Sequence, residues 1–242
     1  MSLRILALDT ATEACSAALV IDGELIAKQF EIAPRRHAAL ILPQLEAVLS
    51  EAGLSLGQLD ALAYGRGPGA FTGVRLAASV VQGIAFAANL PVLPVSDLAA
   101  LAYGAQRTYA IKHLACAIDA RMGEVYWACY CADARQGVRL LGTEIVSAPD
   151  AVAVPTATAT TASPENTVWQ GVGSAWSTYT SVLQVQTGIK QIWPDVYPTA
   201  ASVALLGTFA WQNGEAVAAQ DAIPVYLRDR VAHRPESVMK SL

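Results

Sequence analysis

Long apolar runs, basic clusters and recognisable catalytic sets are all missing from this chain of 242 residues. No stretch of roughly 18 residues is uninterrupted apolar, which is what a membrane-crossing helix needs. The longest candidate, Leu76 to Leu93, is broken by Ser79, Gln82, Asn89 and Pro91, and is rich in the small residues that favour close helix packing. Charged residues are only 15% of the chain, and the net charge is −4. The sixteen Lys and Arg are scattered, so the basic footprint of a stand-alone nucleic-acid binder is not there. The opening, Met1 to Thr10, has one Arg and then an alternating apolar run, unlike a secretory leader, and a cytoplasmic protein is expected. The four cysteines include no C-x-x-C; Cys129 and Cys131 are spaced C-x-C, which suits core thiols in a reduced compartment better than a shared zinc. There is no Walker A segment, no zinc spacing and no local Ser/His/Asp or Cys/His grouping. His37 has Ile41, not a second histidine, four residues on, so no metal site is expected.

What is abundant is apolar surface, 54% of residues. With no membrane span to absorb it, the excess reads as surface hidden against a partner. The chain is long enough to bury a sizeable core, in one large domain or two small ones.

The residue pattern repeats. Arg4–Asp9 reads as a strand ending in an aspartate. A polar turn follows, then strands 15–21 and 24–32 joined by Asp22-Gly23, a strong hairpin signal. Further on, 114–118 is a strand ending before Asp119, followed by the turn Ala120 to Gly123 and by strands 125–131 and 138–145. Asp9 and Asp119 hold matching places about 110 residues apart. Between them, 37–50 has helical periodicity with Pro43 inside it, and Gly53 is its stop. Next come a strand 59–64, a Gly/Pro loop 65–69, a helix 72–88, a strand 91–95 and a helix 98–105 capped at Ser96-Asp97. A helix 199–211 with Asn213-Gly214 as its stop, and an extended segment 223–228, close the pattern. Residues 146–167, rich in Ala, Thr and Pro, read as a surface loop.

Two copies of one unit imply an α/β fold of duplicated lobes, the actin-like (ASKHA, ribonuclease H-like) architecture, with mixed sheets and flanking helices. The expected division is 1–105 for the first lobe, 106–222 for a smaller second lobe, and 223–242 for a tail returning to the first lobe. In such folds a strand-end Asp and hydroxyl residues approach nucleotide phosphates. Asp9, Thr10, Thr12 and Asp119 are therefore the candidate nucleotide-binding residues, although a turn without Gly gives phosphate poor backbone access and the same residues serve ordinary turn chemistry. Asp119 can equally pair with Arg121 to shape its turn.

Gly65 to Arg75, GRGPGAFTGVR, is the most distinctive segment. Gly65-x-Gly67-x-x-Ala70 formally matches a dinucleotide fingerprint. It fails because its strand is not the first of the lobe and Pro68 removes an N–H donor. Gly67, Pro68, Gly69 and Gly73 are read as structural turn residues. The helix that follows has no charged residue after Arg75, so both of its faces should be covered, one by its own sheet and one by another helix or chain. Symmetric pairing with helix 37–50 would make a four-helix contact.

Several segments together, ILALDTATEACSAAL, His37 ahead of ILPQL, GRGPGAFTGVRLAASVVQGIAFA, IDARMGEVYWACY and the YLR tail, resemble the TsaB (YeaZ) family. The likeness runs in order from Ile5 to about Tyr130, thins through the Ala/Thr loop, and returns at Val225–Arg228. It implies a non-catalytic partner in making N6-threonylcarbamoyladenosine at position 37 of tRNAs reading ANN codons. Such a protein binds and activates the catalytic subunit TsaD, with TsaE joining them, and touches tRNA only through the complex. TsaD carries a paired-His helix motif that this chain lacks, so no metal of its own is implied. Alone, the family tends to homodimerise. The resemblance places that interface at His37, Leu40, Ile41 and Gln44 on the first helix and Thr72, Arg75, Leu76, Ala78, Ser79, Gln82 and Gly83 on the second. No resident cofactor is implied; ATP or ADP has a place at the lobe cleft or the complex interface. Ala70 stands where the family usually has Ser, which removes any hydroxyl role there. Two alternatives stay open. One is an actin-like small-molecule kinase using Asp9 and Asp119 with Gly171 and Gly173 near the adenosine. The other is a glycopeptidase-type metallopeptidase.

Overall fold

The computed structural model describes residues 2–155 and 167–228. The expected tail residues 229–242 and residues 156–166, half of the Ala/Thr loop, lie outside them.

Two five-stranded sheets are built to one plan. The first contains β1 (Arg4–Asp9), β2 (Ala14–Ile21), β3 (Glu24–Ile32), β4 (Ala61–Gly65) and β5 (Val92–Val95), in the order β3-β2-β1-β4-β5. The second contains β6 (His113–Arg121), β7 (Glu124–Asp133), β8 (Gly137–Ser147), β9 (Trp169–Val172) and β10 (Ile192–Trp193), in the order β10-β9-β6-β7-β8. In each, the first three strands are antiparallel and the fourth and fifth run parallel to the first. This is the duplicated actin-like α/β fold expected from the repeat. Asp22 and Gly23 both have positive φ, at 52° and 80°, as do Met122 and Gly123, at 57° and 78°, so equivalent tight turns close the first hairpin of each sheet.

Helices α1 (His37–Ala52) and α2 (Phe71–Ala88) lie on one face of the first sheet. Helix α1 starts at His37 and continues through Pro43, which faces out, as does Ala39 four residues earlier. There the carbonyl that loses its donor can turn to solvent. Gly53 ends α1 in the left-handed region, with its N–H on Ser50 O. By length and composition α2 could cross a membrane, but Ala77, Ala78, Val81 and Ala85 are buried in the core over the first sheet.

Helices α3 (Asp97–Tyr109) and α6 (Ala200–Gln212) depart from the expected division of the chain. Helix α3, placed with the first lobe by a cut at 105, packs on β6, β7 and β8. Helix α6, placed in the second lobe, packs on β1, β2 and β4. The two helices also touch each other, and one apolar core runs from Ile5 and Ala7 through Leu101 and Val203 to Leu114 and Cys116. Each sheet thus buries its inner face against a helix from the other half of the chain, which no local hydrophobic pattern reveals. On the far side of the second sheet, α4 (Ala175–Thr178) and α5 (Thr180–Thr187) cover a separate core around Trp176. The indole N–H of Trp176 donates to Ala115 O at 2.9 Å.

Candidate functional site

A cavity of about 1130 Å³ opens between the lobes. Its floor is the β1–β2 turn, the start of α2 and the end of β6. The β1–β2 turn consumes its own polar groups. The N–H of Ala11 donates to Asp9 Oδ1 at 2.9 Å, that of Ala14 to Thr12 Oγ1 at 3.3 Å, and the Thr10 hydroxyl to Gly73 O at 2.7 Å. The N–H of Ala70 closes the junction on Ala11 O at 2.7 Å. Gly69 and Gly73 are required for this approach, since a Cβ on them would lie 2.4 Å from Ala11 O and 2.0 Å from Thr10 O. The structural reading of the Gly-rich segment therefore has a cause, which is backbone packed on backbone.

Of the four candidate nucleotide residues, Thr10, Thr12 and Asp119 line the cavity and Asp9 does not. Asp9 is 1% exposed and points inward beside Asp97, a residue the sequence reading used only as part of a helix cap; among the described residues Asp9 Oδ2 and Asp97 Oδ1 are both buried without a hydrogen-bond partner. Ser96 is the true cap of α3, with Oγ accepting from the N–H of Ala99 at 3.2 Å. Asp97 instead reaches back to accept from Gly67 N–H at 2.5 Å. Burial, and after it the Asp9 charge, hold the Asp97 carboxyl well above the usual carboxylate range; burial also raises Asp9. An Asp directly after a Ser cap looks like ordinary helix chemistry, so no local signal marks this pair.

Asp119 accepts from Arg121 twice, from its N–H at 2.8 Å and from its guanidinium at 3.0 Å. The turn-shaping pairing expected for it is thus formed. The same guanidinium crosses the cleft to Glu13 at 2.5 Å. Arg75 lies 3.6 Å over the Phe71 ring and donates to the Tyr226 hydroxyl at 2.8 Å. His37 lines the cavity, and its Nε2 is buried with no partner among the described residues. Among the described residues no group of three or more His, Cys, Asp or Glu is placed to hold a metal ion.

The expected interface residues divide. Thr72, Arg75, Ser79 and Gly83 form an exposed stripe on α2 that continues to Phe86, 85% exposed. His37, Leu40, Leu76 and Gln82 are half-buried along its borders. Ile41, Gln44 and Ala78 are buried and face the first sheet; Gln44 accepts from the Cys15 thiol. These three are corrected to core positions. On a helix with almost no polar residues, periodicity cannot say which apolar side faces inward.

Comparison with known proteins decides the family. The description "TsaD: tRNA N6-adenosine threonylcarbamoyltransferase" matches residues 24–235. The chain is 40% identical over 230 residues to the Escherichia coli tRNA threonylcarbamoyladenosine biosynthesis protein TsaB, covering 95% of this chain and 96% of the relative. The chain belongs to the TsaB (YeaZ) family. The Haemophilus influenzae TsaB is 37% identical over 237 residues, covering 95% of each chain. The solved structure of YeaZ from Pseudomonas aeruginosa superimposes with a TM-score of 0.82 at 46% identity, covering 93% of this chain and all of that one.

Proposed function

We propose that this chain works in tRNA threonylcarbamoyladenosine biosynthesis as a non-catalytic subunit that docks a TsaD-type catalytic protein through the exposed stripe of α2 and the adjoining surface of α1. Similarity along nearly the whole chain to proteins named for that biosynthesis carries the reading. The stripe supports it: beyond Arg75, Ser79, Gly83 and Phe86 continue an exposed surface without a charged residue, of the kind that packs helix on helix. TsaE completes the complex, tRNA is held through it, and the whole assembly works in the cytoplasm. A nucleotide, ATP or ADP, has its place at the interlobe cavity. There Thr10, Thr12 and Asp119 line the wall with their polar groups engaged within the protein, so a nucleotide would have to displace some of those bonds, while Asp9 does not reach the cavity.

The test is size-exclusion chromatography with light scattering, on this chain alone and mixed with the TsaD of the same organism. A 1:1 complex formed at the expense of the homodimer supports the partner role and competing surfaces. No complex, with or without nucleotide and TsaE, overturns the reading and makes phosphotransfer the next activity to assay.

A further inference from the structure

We infer that residues 223–228 form a strap that sets the opening of the interlobe cavity, with Arg228 as its fastening. The segment follows the short 3-10 turn Ala219–Asp221 beside α2. It is first pinned to the first lobe. Gln82 Nε2 donates to Ala222 O at 3.1 Å, the Tyr64 hydroxyl to Ile223 O at 2.9 Å, and Val225 N–H to Arg66 O at 2.7 Å. Gly67 has a φ of +107°, and a Cβ there would lie 2.6 Å from Val225 O. The Gly/Pro turn is thus shaped to let the strap lie flat on it. Tyr226 then packs on Phe71 with ring centroids 5.9 Å apart and accepts from Arg75.

The next two residues leave the first lobe. Arg228 Nε donates to Glu124 Oε2 at 2.9 Å, and its Nη2 donates to Ala120 O at 3.1 Å and Arg121 O at 3.3 Å. These are the carbonyls of the β6–β7 turn, where Arg121 and Met122 both sit at positive φ. The Arg228 side chain is 17% exposed, so the fork is largely withdrawn from water, where charge-assisted bonds count most. A planar guanidinium meets a carboxylate and two carbonyls at once; no shorter or singly donating side chain could.

The location gives the strap its consequence. The lobes share their core on the α3–α6 side, so any change in their angle opens or closes the opposite side, where the cavity lies. Two ties cross that opening: Glu13 to Arg121, and the strap to the same β6–β7 turn. Val225, Tyr226 and Arg228 are also cavity wall. Releasing Arg228 removes a wall and a tie together. The effect belongs to the isolated chain and does not rest on the partner reading.

The test is a distance measurement by pulsed electron paramagnetic resonance. Nitroxide labels are placed on Ala39→Cys in α1 and Ser177→Cys in α4, both exposed, and the sample is diluted with unlabelled chain so that only distances within one molecule are read. Arg228→Met and Tyr226→Ala are expected to lengthen and broaden the distribution, with Arg228→Lys intermediate. Circular dichroism on the same samples monitors folding. Should Arg228→Met disturb the fold, Glu124→Gln, at a side chain 38% exposed, asks the same question from the other end. Distributions matching the parent in folded Arg228→Met, or in Glu124→Gln where that variant stands in for it, would overturn the strap.

Discussion

Asp97, in the first turn of α3, lies beside Asp9, at the end of β1, as two buried carboxyls, 0% and 1% exposed, of which Asp97 Oδ1 and Asp9 Oδ2 have no hydrogen-bond partner among the described residues. Each also accepts one peptide N–H, from Gly67 and from Ala11. Two buried like charges repel, so the pair is expected to hold one proton, which would bridge its two unpartnered oxygens. The surroundings fit this, since Glu144 on β8 adds further negative charge near Asp97. Holding one proton, the pair would tie the end of β1, the Gly-rich turn and the start of α3 together.

The sign of its pH dependence follows. Both carboxyls titrate above their ordinary range in the fold, so the folded chain binds more protons than the unfolded one. The stability this contributes is complete below the ordinary carboxylate pKa. It is lost as pH rises from there through the raised values. Asp97→Asn keeps an acceptor for Gly67 and offers a donor to Asp9 without a proton. It should raise the melting temperature at pH 8 by ~2–4 °C, corresponding to about 1 kcal/mol, and gain less at pH 4. Thermal melts across this range decide it; equal losses of stability at both pH values would remove the shared proton.

Helix α2 supplies a contrast between two arginine substitutions. Gly83 is exposed, and a Cβ there meets nothing within 4 Å, whereas Ala78 is 3% exposed in the first-sheet core. Gly83→Arg should leave the monomer folded, with a helix-propensity gain of about 1 kcal/mol, while abolishing both the homodimer and the complex with TsaD. Ala78→Arg should unfold the chain or cost about 3 kcal/mol or more by forcing a charge into the core. Light scattering reads the first effect and denaturant titration the second. A dimer that survives Gly83→Arg would move the contact off α2.

The legible part of this structure is the part written locally. Strands 4–9 and 24–32 match the sequence reading residue for residue, because alternation and the Asp22-Gly23 turn act over a few residues. The unread part is long-range. Nothing near Asp97 indicates that it faces Asp9 instead of capping its helix. Nothing near Ala200 indicates that its N–H will donate to Ser16 Oγ at 2.8 Å across 184 residues. The candidate site was half legible for the same reason. Thr10 and Thr12 reach the cavity from the β1–β2 turn and Asp119 from the end of β6, but Asp9, one residue before Thr10 on a pleated strand, is buried away from it.

Glycines on α2 give opposite signs for one substitution. Gly83→Ala should stabilise by about 0.5–1 kcal/mol, the usual gain for removing an exposed helical glycine. Gly73→Ala would place a methyl 2.0 Å from Thr10 O. The obstacle is backbone, already held by the Thr10 hydroxyl on Gly73 O, so the helix must shift away from β1. The expected loss is about 1–3 kcal/mol, read in the same denaturant titration; a stabilised Gly73→Ala would show that the turn yields easily.

The cysteines give a reading of how tightly the cores are closed. Burial, with the charges of Asp9 and Glu31 behind it, pushes the Cys15 thiol up to about 12, and burial does the same to Cys129. Burial also raises Cys116 far and Cys131 less. Because the thiolate is the nucleophile, a disulfide reagent such as Ellman's at pH 8 should find almost none of it in the native chain, and access is blocked as well. All four thiols are free and buried. The expected result is no release of chromophore over minutes in buffer and four equivalents in denaturant. A single fast equivalent in buffer, mapped to Cys131 on its partly open strand, would show that the second sheet frays at its β7–β8 end. A fast equivalent at Cys15 would show α1 lifting off the first sheet, and with it the helix surface assigned to partner docking.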